Sequence, residues 1–120
     1  MRTISVQGPR GLRIRTAVPE GRRERMRGLL GRSRLDPDEG MLLERTRSIH
    51  TFGMRFTIST ALLDRDWVVR AVIRMPPGRV FLPRPRVRQV LELPVTIDVR
   101  PGDRLEPFTR TDGESGPVVV

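Results

Sequence analysis

Phe56-Thr57-Ile58-Ser59-Thr60-Ala61-Leu62-Leu63 and Trp67-Val68-Val69-Arg70-Ala71-Val72-Ile73-Arg74-Met75, joined by Asp64-Arg65-Asp66, decide the fold. Both runs are rich in Ile, Val, Thr and Leu, whose bulky or branched side chains suit a pleated surface, and a short polar joint suits a hairpin turn. The stretch predicts an antiparallel hairpin. Immediately downstream, Pro76-Pro77-Gly78 stops the second strand, and Pro83 and Pro85 keep residues 76–86 extended and unpaired, as a loop or an edge.

Strand character extends outward on both sides. Upstream, Leu12-Arg13-Ile14-Arg15-Thr16-Ala17-Val18 alternates apolar and polar residues, the period of a strand with one buried face. Ile4 and Val6 suggest its partner across Gly8-Pro9-Arg10-Gly11, and Met41-Leu42-Leu43 reads as a short apolar strand after the turn residues Asp36-Pro37-Asp38-Glu39-Gly40. Downstream, Val87 to Leu93 and Thr96 to Val99 read as strands. One helix is expected: Pro19 and Glu20 suit a first turn, Met26, Leu29 and Leu30 share an inward face while Arg22, Arg23, Arg25 and Arg27 stay in water, and Gly31 stops it. The expectation is a mainly β domain over residues 1–107: a compact antiparallel β-sandwich or partly open barrel with one short helix around residues 19–31. Residues 108–120, with little to bury, are expected to form a flexible tail.

Composition narrows the chemistry. With 120 residues, 11 Gly, 11 Pro and no Cys, the chain suits one turn-rich domain and excludes disulfides, thiolate metal sites and thiol nucleophiles. The net charge of +9 is carried entirely by Arg, and residues 1–35 hold ten of them against Glu20 and Glu24. Charge of that sign attracts an acidic protein, nucleic acid or another polyanion. The N-terminus lacks the apolar stretch of an export signal and no run is long enough to span a bilayer, so the expected location is cytoplasmic.

Several phrases, taken in order, match one family: Arg25-Met26-Arg27-Gly28-Leu29-Leu30-Gly31-Arg32, Gly40-Met41-Leu42, Ile49-His50-Thr51-Phe52-Gly53-Met54-Arg55-Phe56, Val90-Leu91-Glu92-Leu93-Pro94 and Pro101-Gly102-Asp103. Over roughly residues 3–107 the chain resembles the domain of unknown function 192 family (DUF192, also UPF0127). The resemblance implies a compact, mostly antiparallel β fold with a short helix and no assigned activity. Relatives with the Ile-His-Thr-Phe-Gly-Met phrase look similar to proteins encoded near secretion and pilus-assembly components, which suggests a protein partner. Two departures stand out. Ser59 replaces the family's usual acid after Met54-Arg55-Phe56, and Trp67 stands where the hairpin turn usually has Gly.

His50 is the one imidazole, so any His-based acid–base or metal chemistry must use it. Ser48 nearby supplies no triad, and no nucleophile turn or oxyanion hole accompanies it. Met54, with Met41 and Met75, offers soft ligands beside His50, but Met at strand positions ordinarily fills core gaps, and the turn carboxylates lack a calcium-loop spacing. The Arg25 to Arg32 motif invites an anion, yet it closes a helix, so its glycines also read as caps and Arg32 as a partner of the dipole. Four Phe and one Trp are too sparse for a base-stacking platform. No catalytic residue, metal ligand or cofactor is assigned. The function expected is a non-enzymatic binding or accessory module that recognises an acidic protein or other polyanion. Its candidate surface comprises His50, Phe52, Met54, Arg25, Arg32, Arg55, Arg79, Arg84, Arg86 and Arg88. A His50-centred enzyme or metal-binding protein and a non-specific nucleic-acid binder are the alternatives.

Overall fold

The computed structural model describes residues 1–109, except the side chains of Arg22 and Met26; expectations for those two side chains and for tail residues 110–120 lie outside the described residues. Seven strands, β1 (Arg2–Gly8), β2 (Leu12–Val18), β3 (Glu39–Leu43), β4 (Ile58–Leu63), β5 (Val69–Met75), β6 (Gln89–Leu93) and β7 (Glu106–Thr109), accompany one helix, α1 (Gly21–Arg27). They form a single sheet in the order β5-β4-β6-β3-β2-β1-β7. The mainly β expectation holds, with one short helix. The sheet is mixed: β2 and β3 run parallel, and all other described ladders are antiparallel. A parallel pair requires a long crossover, and the segment carrying α1 supplies it.

The sheet curls without closing. Its two edges meet at one corner, where an isolated bridge joins Val68 to Arg104 and the Val69 amide donates to the Asp103 carbonyl at 2.8 Å. Inside the curl, Val6, Ile14, Leu63, Leu91 and Leu93 form an inner core. On the outer face, Met41, Leu43, Ile58, Leu62 and Val90 meet Leu29, just beyond α1, and Ile49 and Met54 from the loop after β3. The central strands β3, β4 and β6 are therefore covered on both faces. All of β4 is buried, which explains why its sequence is continuously apolar or small instead of alternating.

Some boundaries differ from the sequence reading. The strand expected over Thr96–Val99 is turn and unpaired chain, because Ile97 folds back to donate to the Pro94 carbonyl while Val99 anchors in the inner core. The helix starts after Glu20 and stops at Gly28, whose φ of 46° is reached at low steric cost without a Cβ. Leu30, expected inside, is 39% exposed because the chain has left the helix by then. A further strand, β7, continues through Thr109 and pairs with β1.

Candidate ligand cup

Between the end of α1 and the loop that follows β3, the outer core is left open. A cup of about 290 Å³ opens there, with Leu29, Leu43, Ile49 and Met54 among its apolar walls and Arg25, Arg27, His50 and Glu92 among its charged or ionisable members. Each comes from a definable place. Arg25 and Arg27 lie in the last turn of α1, where cations complement the dipole. Glu92 lies in β6, opposite Met41 of β3 and Thr60 of β4, so it points to the outer face between two uncharged neighbours.

Thr51 holds the loop wall in position. Its hydroxyl donates to the Pro76 carbonyl at 2.7 Å and accepts from the Arg79 amide at 2.8 Å, while its own amide donates to the Arg79 carbonyl at 2.7 Å. His50 bridges Val80 through the backbone, and its ring stacks on Phe52 at a centroid distance of 5.3 Å. The loop thus links the cup to the extended chain after Gly78. Phe52, Val80 and Leu82 stand exposed along this link.

Glu92 is the unusual group. It is 5% exposed, has no side-chain hydrogen bond or ion pair among the described residues, and burial alone pushes its carboxyl up to about 7. A Cβ placed on Gly28 would stand 3.9 Å from Glu92 Oε1, so the carboxyl looks towards a backbone that offers it no side chain. Buried carboxyls without partners are rare outside functional sites, since desolvation opposes their charge. The arginines of the cup do not offset it: neither Arg25 nor Arg27 forms an ion pair among the described residues.

The cup brings together Arg25, His50 and Met54 from the expected surface, with Phe52 against the His50 ring. It leaves out others. Arg32 is engaged in a two-pronged pair with Glu39, whose carboxylate also accepts from the Asp36 amide. Arg86 and Arg88 line a separate groove of about 310 Å³ with Asp64, Arg65, Asp66 and Arg70, while Arg55, Arg79 and Arg84 are exposed outside the lining of both. Sequence reasoning missed Glu92 and Thr51 as site residues. A charged residue inside the apolar run Val90-Leu91-Glu92-Leu93 was the available signal for the first; nothing local marked the second. Ser59 pairs with Leu93 and shares the inner-face parity of β4, so it lies on the opposite side of the sheet from this cup.

An open, strongly curled mixed sheet with a single crossover helix and a pocket on its outer face defines a small one-sheet β domain. The chain belongs to the DUF192 family, described as an uncharacterized ACR, which it matches over residues 3–107. A protein of unknown function from Novosphingobium aromaticivorans DSM 12444 is similar in structure, at 20% identity and a TM-score of 0.74 over 87% of this chain and 83% of its own. A second solved structure, a "putative transcription regulator" from Sinorhizobium meliloti 1021, is similar at 24% identity and a TM-score of 0.74, over 88% of this chain and 92% of its own. No curated protein matches the chain significantly. Among the described residues no helix is long and apolar enough to cross a membrane, and no three His, Cys, Asp or Glu side chains gather as a metal site.

Proposed function

We propose that the protein is a binding module whose site is the cup between α1 and the loop after β3, and that its ligand carries an acidic group. The observation behind this reading is the pairing of concavity with unneutralised charge: Arg25 and Arg27 line the cup and form no ion pair among the described residues. Guanidinium groups offer forked donors matched to carboxylate or phosphate. Apolar walls and a few polar groups are the usual makeup of a small-molecule site, and the volume lies near the lower end of such sites. The acid is that of a small molecule or of a side chain presented by an acidic partner. The Arg86–Arg88 groove is separate from this lining, so the ligand is read as local to the cup.

Short-chain carboxylates titrated into the isotope-labelled protein test the reading. Amide shifts are expected to cluster at residues 25–30 and 48–54, and Arg25→Glu with Arg27→Glu should weaken binding by about tenfold or more. Shifts confined to residues 86–88, or unchanged affinity in the double variant, would count against it.

A second reading has its own observation: His50 and Glu92, one imidazole and one carboxyl pushed up to about 7, line the same cup. Two such groups are suited to proton transfer. His50→Ala separates the readings, because a binding module should keep its affinity for the acid while an acid–base site should lose turnover.

A further inference from the structure

We propose that the cup is a site for a small zwitterion, with its amine on the Glu92 carboxylate at the floor and its acid between Arg25 and Arg27. The inference rests on the reading of the cup as an acid-binding site and deepens it by assigning the other end of the ligand.

The Glu92 side chain is flanked by Met41 from β3, Thr60 from β4 and the backbone at Gly28, none of which carries charge. The Thr60 hydroxyl is already committed, donating to the Ile73 carbonyl at 2.9 Å. Among the described residues, the charged or titratable groups that share the cup are Arg25 and Arg27 from α1 and His50 from the loop, and none pairs with the carboxyl. A structural role would have been served by an apolar residue, as at Val90 on the same face of β6. An acid kept here without a partner among the described residues leaves the partner to be supplied by the ligand.

The chemistry of that partner follows from the surroundings. A largely buried carboxylate beside apolar walls is satisfied best by a cation that can hydrogen-bond, because Coulomb attraction strengthens as the ligand displaces water. An ammonium group is compact and donates three hydrogen bonds, so the hydroxyls of Thr46 and Ser48 in the same lining can take those the carboxylate leaves over. A bare divalent metal is poorly served, since His50 is the one other such group in the lining and no three His, Cys, Asp or Glu side chains gather among the described residues. A simple amine would have to pass two arginines. A molecule carrying an acid at its opposite end turns those arginines into contacts, and its methylenes lie against Leu29, Leu43, Ile49 and Met54.

The test uses straight-chain ω-amino acids of three to six carbons, with the alkanoate and alkylamine of each length as controls, titrated calorimetrically at pH 8. The tightest amino acid should bind about tenfold or more tighter than its alkanoate. Glu92→Gln should bring the two within about twofold by weakening the amino acid, while the alkanoate binds at least as tightly as to the wild type. Between pH 6 and pH 8 the amino acid should bind more tightly as Glu92 loses its proton, whereas an acid inserted against the neutral carboxyl would weaken; repeating the profile with His50→Asn isolates Glu92. Equal binding of amino acid and alkanoate, or a preference that survives Glu92→Gln, overturns the zwitterion and leaves the acid site standing. Silence from every probe at ten-millimolar concentration overturns both.

Discussion

Trp67 adopts φ 63°, a left-handed conformation that an indole side chain tolerates poorly. Asp64 holds it there. Its Oδ1 accepts from the Asp66 amide at 2.9 Å and from the Val68 amide at 3.1 Å, fixing the turn around the tryptophan. In return the indole, partly buried, packs against the inner core. Strain and packing therefore oppose each other at one residue, and two truncations separate them. Both Trp67→Ala and Trp67→Gly remove the packing, but glycine also relieves the backbone, so in chemical denaturation Trp67→Gly should be more stable than Trp67→Ala by about 1 kcal/mol. Equal stabilities, or alanine the more stable, would mean that the turn carries no strain.

Elements join through a few buried polar contacts, of which Thr51 is the most concentrated. The side chain is fully buried, yet its hydroxyl is satisfied on both sides by the segment from Pro76 to Arg79. Thr51→Val keeps the shape and leaves the Pro76 carbonyl and the Arg79 amide without that partner, so stability should fall by about 1–3 kcal/mol. Amide exchange at Arg79 should quicken at the same time, and an unchanged exchange rate there would show that the loop is held by something else. The hairpin β4–β5 and the pair β1–β2 were legible in the sequence because their residue types and turns are local signals. The sheet order was not, because adjacency of β3 to both β2 and β6 depends on the crossover through α1 and leaves no periodic trace. The same limit applies to the cup. His50, Met54 and Arg25 stood out by residue type, but their convergence with Glu92 depends on which face of β6 is covered, and a strand buried on both sides loses the alternation that would have revealed it.

At the scale of the whole molecule, charge is less uniform than the net value suggests. Arg32 holds Glu39 down to about 2, Arg10 lowers Asp103, and Arg100 lowers Asp98, so several arginines are tied into the fold. The contribution of Glu39 is present above the ordinary value of 4.5 and is lost as pH falls towards 2. Glu92 acts in the opposite sense. Its folded value of about 7 lies above the ordinary 4.5, so the native state binds the extra proton between those values and stability declines as pH rises through that window, then levels. Together the two carboxyls place the stability maximum on the acid side of neutrality.

The zwitterion reading depends on one carboxyl being largely buried at the outer core with no partner among the described residues. Urea unfolding of the wild type and of Glu92→Gln at pH 5 and pH 8 measures this most directly. Between those two values the wild type should lose roughly 2–3 kcal/mol, while Glu92→Gln, which has no proton to release, should lose less than about 1 kcal/mol. A wild type equally stable at both values, or a variant that falls as steeply, would mean that Glu92 is solvated or paired, and the cup would lose the group on which its chemistry has been built.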